Sequence, residues 1–280
     1  MRHKSPNVVT VVQARTDSSR LPGKVLLPLM GKPVLARMLE RLQAAKLAGA
    51  IVVATTTDRS DDPIEALCVA EDYPCFRGHP TDLLDRHYRT AQWLEADVVV
   101  KIPSDCPLID PEVVDQVISA YLQRAGQVDY VSNLHPATYP DGNDVEVISF
   151  EALKTAWTEA VLGFEREHTT PFLWERPARF RLGNVAWKTG HDYSMTHRWT
   201  LDYRDDYVLI SAIFEALHPS KRLFGIDDIL ALLARRPDLM YINSRYAGVN
   251  WYRHHLHELS SITAEQTKPV ALLHEQDWLR

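Results

Sequence analysis

The chain has 280 residues, 45% of them hydrophobic and 24% charged, which fits a folded protein of one large or two small domains and excludes disorder or a fibre. Its longest apolar runs, such as Val8 to Val12, fall far short of the roughly 18 residues a spanning helix needs, and the polar start Met1 to Asn7 does not read as a secretory signal. The formal net charge of −6 argues against nucleic acid as a partner held by phosphate neutralisation. Cys68, Cys75 and Cys106 lack a metal-ligand spacing, and a reduced, cytoplasmic setting is expected.

In chain order, Val8 to Gln13 is a continuous apolar strand, as a central strand buried on both faces would be. Val34, Leu35, Met38, Leu39 and Leu42 then recur at helical spacing, so residues 33 to 46 are expected as a helix with Pro33 in its first turn. Ile51 to Thr55 is the second strand. Asp61, Asp62 and Pro63 open a helix through about Ala70, and a short strand holds Cys75 and Phe76. Thr81 or Asp82 caps a helix through Leu94, Asp97 to Ile102 is a strand, and Asp110 caps a helix running from Pro111 to about Leu122. Tyr130 and Val131 begin another strand. The turn at Pro140, Asp141 and Gly142 precedes a strand at Val145 to Ile148 and a helix from Phe150. Trp199 to Asp202 is expected as a short strand, followed by helices through about Leu217 and from Asp227 to Arg235. The alternation predicts an α/β fold: a mostly parallel central sheet with helices on both faces, an inserted α+β lobe at about 128–187, a main domain at 1–217 and a C-terminal helical appendage at 218–280.

The charge is unevenly spread. Residues 1 to 48 hold nine basic side chains against Asp17 and Glu40, so +7 there leaves −13 for the rest. Much of this positive charge lies in Gln13-Ala14-Arg15-Thr16-Asp17-Ser18-Ser19-Arg20-Leu21-Pro22-Gly23-Lys24, directly after the first strand, where α/β sheets collect ligands. Arg15 and Arg20 can fork onto phosphate oxygens, Lys24 supplies a point charge, Ser18 and Ser19 supply hydroxyls, and Gly23 allows backbone N–H groups to approach closely. The loop is neither Gly-x-Gly-x-x-Gly nor a P-loop, because Gly23-Lys24 is followed by Val25.

This loop, with Leu29-Met30-Gly31-Lys32-Pro33-Val34-Leu35, resembles the N-terminal signature of the cytidylyltransferases that make CMP-activated acidic sugars. Among them are the acylneuraminate and 3-deoxy-manno-octulosonate enzymes, and the spore-coat polysaccharide biosynthesis protein F branch is the nearest match. Asp82-Leu83-Leu84-Asp85-Arg86-His87-Tyr88, Ser104-Asp105-Cys106-Pro107-Leu108-Ile109-Asp110, the run from Tyr139 to Val147, Arg166-Glu167-His168-Thr169-Thr170-Pro171 and Arg198-Trp199-Thr200-Leu201-Asp202 carry it further, over roughly residues 7 to 217. The resemblance implies a nucleotide-diphospho-sugar transferase-like fold, CTP and an acidic sugar as substrates, Mg²⁺ as cofactor and a homodimer. It places the nucleotide on Gln13, Ala14, Arg15, Ser19, Arg20, Gly23, Lys24 and Ser104, with Arg15, Lys24 and Asp105 catalytic.

A carboxylate at the end of a buried strand, as Asp105 is, can bridge Mg²⁺ to substrate phosphates; the other reading is a cap on the turn before Pro111. The resemblance assigns the second metal carboxylate to Asp202, which could otherwise cap the helix near Asp205. Asp85, Arg86 or His87 could reach the nucleotide or form surface ion pairs. In the middle stretch Asp144, Glu146, Arg166 and His168 are the acceptor candidates, Arg166 for a sugar carboxylate and His168 for a hydroxyl or as a structural histidine. His254, His255 and His257 are expected as polar surface. The leading expectation is transfer of CMP from CTP to an acidic sugar with release of pyrophosphate. The alternatives are a glycosyltransferase consuming a preformed sugar nucleotide, for which a close Asp-x-Asp pair is lacking, and a non-catalytic nucleotide-binding relative.

Overall fold

A computed structural model describes residues 5–268; of the expected C-terminal appendage, positions 269–280 lie outside the described residues. The first half alternates as the periodicity predicts: β1 (Val8–Gln13), the two-residue strands β2 (Pro28–Leu29) and β3 (Lys32–Pro33), α1 (Val34–Leu42), β4 (Ala50–Thr56), α2 (Asp62–Ala70), β5 (Cys75–Gly78), α3 (Leu83–Trp93) and β6 (Val98–Pro103). Then come α4 (Pro111–Leu122), β7 (Tyr130–Ser132), β8 (Glu146–Ser149), α5 (Phe150–Glu159), the short α6 (Gly163–His168) and α7 (Pro171–Trp174), and β9 (Leu182–Asn184). The chain continues with α8 (Arg204–Leu217), α9 (Ile226–Arg235) and α10 (Pro237–Tyr241). The expected caps are in place. Asp82 Oδ1 accepts from the Asp85 N–H at 2.9 Å, and Asp110 Oδ1 accepts from Glu112 N–H at 2.9 Å while its Oδ2 holds Ile226 N–H at 2.8 Å.

Seven strands form one sheet in the order β5-β4-β1-β6-β8-β7-β9, and only β8 runs against the rest. The middle stretch therefore continues the main sheet with β7, β8 and β9. Alternate residues of the central strands face two cores. Val12, Val53, Val100 and Ile102 pack against α1, α4 and α8, whereas Val9, Val11, Val52 and Val99 pack against α3 and α5. Helices thus cover both faces, which is why the central strands read as unbroken apolar runs. From β1 the chain steps outward through β4 to β5 and returns on the other side of β1 as β6. Strand order reverses between β1 and β6, and a crevice opens at their carboxyl ends, where Gln13 sits in register with Pro103.

The run Trp199–Asp202 is not the strand its sequence suggested. Trp199 N–H donates to the Asp141 carbonyl and Leu201 N–H to the Asp105 carbonyl, each at 2.7 Å, so its backbone is shared between two loops and no ladder forms. Gly142, at φ +106°, permits this: a Cβ there would lie 2.7 Å from the Thr200 nitrogen.

Three histidines are held neutral. Burial, then the Lys101 charge, brings His87 down to about 3 and His168 to about 3, and burial brings His135 down to about 4. An unfolded histidine takes up its proton near 6.5, so below that pH the unfolded chain binds protons that the folded chain does not, and stability falls as pH falls. His87, fully buried with Nδ1 on the Leu83 carbonyl at 2.9 Å, should account for about 2 kcal/mol of the loss between pH 7 and 5. Urea unfolding of His87→Gln should show a correspondingly shallower pH dependence than the parent; parallel curves would contradict this account.

Candidate active site

The loop after β1 is tied to the sheet before it reaches the crevice. Ala14 N–H donates to the Ala54 carbonyl at 3.1 Å, and the Thr16 N–H and hydroxyl both donate to Asp61 Oδ1 at 2.7 Å. Gly23 closes the loop by donating to the Thr16 carbonyl at 2.9 Å. Its φ of +67° explains the glycine, yet no atom lies within 4 Å of where a Cβ would sit, and Gly23 is not on the cavity wall. A left-handed turn that closes the loop on Thr16 is what its backbone supplies.

The turn delivers Lys24 to the centre of the crevice. Its Nζ donates to Asp105 Oδ2 at 3.1 Å, Asp202 Oδ1 at 2.9 Å and the Leu201 carbonyl at 2.7 Å. Arg20 Nη2 reaches the same Asp202 oxygen at 2.6 Å. Behind it, Arg198 is fully buried and divides its guanidinium among Asp202 at 3.0 Å, Asp206 at 3.0 Å and Asp141 at 3.3 Å. Asp206 Oδ2 also accepts from the Asp202 and Tyr203 N–H groups at 2.9 Å each. Asp206 is therefore the cap of α8, and Asp202 is left facing the crevice. Asp105 likewise turns its carboxylate to Lys24, while the helix cap before Pro111 is Asp110.

The charges respond to this packing. Burial works against the Lys24 ammonium, but Asp105 and Asp202 overcome it and hold its pKa above the ordinary lysine value. Burial alone would raise Asp202; Lys24, Arg20 and Arg198 outweigh it and hold the carboxyl well below the usual range. Asp144 is pushed up to about 7 by burial and then by the Asp105 charge, and Asp141 is raised by burial against the pull of Arg198.

A cavity of about 1230 Å³ opens over this network. Gln13, Ala14, Arg15, Ser19, Arg20, Lys24, Ser104, Asp105 and Asp202 line it, as do the four acceptor candidates Asp144, Glu146, Arg166 and His168. Exposed Arg15 has no ion-pair partner among the described residues, and the Gln13 Oε1 is buried without a hydrogen bond. Glu146 is buried in an ion pair with Lys101 and accepts from Tyr130 Oη at 2.6 Å. Arg166 is held by Asp82 Oδ2 at 2.9 Å and by the Trp157 carbonyl at 2.6 Å. His168 stacks on Trp251 with ring centres 3.7 Å apart.

Of the three residues left open on α3, Asp85 accepts from Trp157 Nε1 at 2.8 Å and His87 is packed inside. Arg86 reaches the cavity: it is 4% exposed, and its Nε and Nη1 have no hydrogen-bond partner among the described residues. Burial, then repulsion from Arg15, brings it down to about 10. Lys101 and Arg198 escaped assignment from sequence because nothing local distinguishes them from other strand and loop cations. The C-terminal wall, formed by Trp251 to His255, Glu265 and Gln266, also escaped it. His255 is not plain surface: it is half-buried, 5.3 Å from the Phe164 ring and 6.3 Å from His168, because a 3₁₀ turn points it inward.

Among the described residues no three His, Cys, Asp or Glu side chains gather as a metal-binding group. What converges is a pair, Asp105 and Asp202, each within about 3 Å of one ammonium, with Asp141 and Asp144 on the same wall. Two all-oxygen carboxylates open to a large cavity suit a hard divalent cation that keeps waters and bridges to phosphates.

The cytidylyltransferase family model matches residues 9–247, beyond the limit near 217 reached by the sequence motifs. An uncharacterized protein of Methanocaldococcus jannaschii is 34% identical over 241 residues, covering 85% of this chain and 94% of that one. The spore coat polysaccharide biosynthesis protein SpsF of Bacillus subtilis is 27% identical over 237 residues, covering 83% and 96%. A solved cytidylyltransferase structure from Leptospira borgpetersenii superposes with a TM-score of 0.80 at 29% identity, covering 84% of this chain and 97% of that one.

The buried part of the network gives a direct test. Replacing Asp206 by Ala strips Arg198 of one of its two partners at 3.0 Å and α8 of its cap, and should lower the unfolding free energy by about 3–5 kcal/mol. Urea titration reads this; a loss under about 1 kcal/mol would show that Arg198 does not depend on Asp206.

Proposed function

Because the chain belongs to the cytidylyltransferase family, we propose that this nucleotidyltransferase moves CMP from CTP to an acidic sugar and releases pyrophosphate. The observation that carries the reading is the Lys24 ammonium seated between Asp105 and Asp202 at the strand-order reversal, beside a basic loop. In the reaction an oxygen of the sugar forms a bond to the α-phosphorus while the bond from that phosphorus to the β-phosphate oxygen breaks. The catalytic problem is one of alignment and charge.

Arg15 and Arg20 at the cavity mouth supply guanidinium forks for the β- and γ-phosphates, and Lys24 supplies a point charge beside them. Arg86 and the unpaired amide of Gln13 provide further contacts for the nucleotide, and Ser19 and Ser104 add hydroxyls. Asp105 and Asp202 would hold Mg²⁺, which when bound supplies electrostatic stabilisation of the α-phosphate. Asp144, Glu146, Arg166 and His168 line the same cavity, and the acceptor would lie against them.

Asp105→Asn keeps the size of the side chain and a hydrogen-bond acceptor for Lys24 but removes the charge. Pyrophosphate release, screened with four nucleoside triphosphates against a panel of acidic sugars, should single out CTP for the parent and fall by on the order of a hundredfold to a thousandfold in the variant, with far-UV dichroism unchanged. Near-parental turnover in Mg²⁺ would remove Asp105 from the machinery, and a stronger response to another triphosphate would overturn the choice of CTP.

A further inference from the structure

Past residue 247, where the match to the family ends, the chain returns to the cavity wall and brings one more guanidinium to it. This strap is latched at both ends. The Val249 carbonyl accepts from Arg198 Nη1 at 3.3 Å, Asn250 N–H donates to Thr267 Oγ1 at 3.1 Å, and Lys268 N–H donates to the Gly248 carbonyl at 2.7 Å. Further along, the Ser260 and Ser261 N–H groups donate to Glu175 at 2.7 and 3.0 Å, and Leu259 and Ile262 are buried in the second core. Between these ties the 3₁₀ turn Trp251–His254 sinks Arg253 until only 9% of it is exposed.

Arg253 lines the same cavity as Arg20 and Lys24, and it is close enough to Arg20, Asp202 and Arg198 to feel their charges. Its Nη1 donates to the Asn250 carbonyl at 2.8 Å, and among the described residues the guanidinium has no other hydrogen bond and no carboxylate partner. Asp202 does not fill that place. Its Oδ1 accepts from Arg20 at 2.6 Å and Lys24 at 2.9 Å, and its Oδ2 accepts from Arg198 at 3.0 Å. Three guanidiniums thus gather about one carboxylate, and Arg253 alone among them is not bound to it.

We infer that Arg253 is a further substrate-binding residue, carried to the site by the strap, and that with Arg20 it grips the β- and γ-phosphates of the nucleotide. The inference rests on the proposed cytidylyl transfer. A nearly buried guanidinium without an acid costs free energy until an anion meets it, and most of its five N–H donors are still to be used. The repulsion among Arg20, Arg198 and Arg253 selects the kind of anion. A polyphosphate tail carries several charges and several acceptor oxygens on one ligand and answers more than one guanidinium at once, whereas a sugar carboxylate carries a single charge. The latch on Arg198 fixes the strap to the same side chain that braces Asp202, so Arg253 is held in register with the carboxylate pair.

CTP and CMP differ only in the β- and γ-phosphates, and with inorganic pyrophosphate they serve as the probes. Each would be titrated calorimetrically, with Mg²⁺, into the full chain and into Arg253→Gln, which keeps a polar side chain and removes the charge. CTP and pyrophosphate should bind at least about tenfold more weakly to the variant, and CMP should change by less than about twofold. Arg253→Lys should recover part of the loss, because the charge returns without the fork. An equal loss for CTP and CMP would make Arg253 a brace of the strap and overturn the inference, as would a loss confined to 3-deoxy-manno-octulosonate titrated onto the chain saturated with α,β-methylene-CTP. If parent and variant bind CTP equally, the inference falls and the cytidylyl reading stands. If the parent binds pyrophosphate but no CTP, and the variant loses pyrophosphate, Arg253 keeps its anion and the cytidylyl reading falls.

Discussion

The structure turns on one ammonium group. Lys24 draws together the loop after β1, the turn after β6 and the segment before α8, through Asp105, the Leu201 carbonyl and Asp202. Lys24 and Asp202 are largely removed from water and Asp105 is partly so, and the cost of desolvating such charges is offset only when each is well paired. The pairing is continued inward by Arg198 and Asp206, so that the whole set behaves as one unit. Without the ammonium, Asp105 would lose its ion pair beside Asp141 and Asp144, and Asp202 would be left to Arg20 and Arg198. With it, they are fixed in direction on the wall of the cavity.

The fold explains why the network sits where it does. The strand-order reversal between β1 and β6 parts their carboxyl ends, and β8, the reversed strand, brings Glu146 beside Lys101 at the same edge. Cations enter the crevice from the first loop, and carboxylates enter from the turn after β6 and from the 141–146 and 198–202 segments. Of the basic side chains in the first 48 residues, Arg15, Arg20 and Lys24 line the cavity, and there they share a wall with Asp105, Asp141, Asp144 and Asp202.

Much of this was legible in the sequence because it is written locally. The apolar run of β1, the helical spacing of α1 and the caps at Asp82 and Asp110 each depend on residues within a few positions, and the basic loop follows β1 immediately. What escaped depends on distant partners. Trp199–Asp202 has strand-like residues, but its N–H groups are taken by the Asp141 and Asp105 carbonyls, which no local pattern announces. Gly23 adopts a left-handed backbone angle that is visible only once the loop is closed on Thr16. Asp202 and Asp206 are equally suited to cap α8 as a sequence, and burial against Arg198 decides between them. The tail offered histidines and aromatics without periodicity, and its place over the cavity rests on hydrogen bonds to Arg198 and Glu175 far from it in the chain.

The central claim is that Lys24 and Asp202 meet the nucleotide as a coupled pair. A double-mutant cycle with Lys24→Met, Asp202→Asn and the combined variant, read as the binding free energy of CTP with Mg²⁺, isolates their coupling. If the two side chains act as one unit, the combined loss falls short of the sum of the single losses by about 1–3 kcal/mol. Losses that add to within about 0.5 kcal/mol would mean that the ammonium and the carboxylate meet the nucleotide independently, and would contradict the central place of their contact in the site.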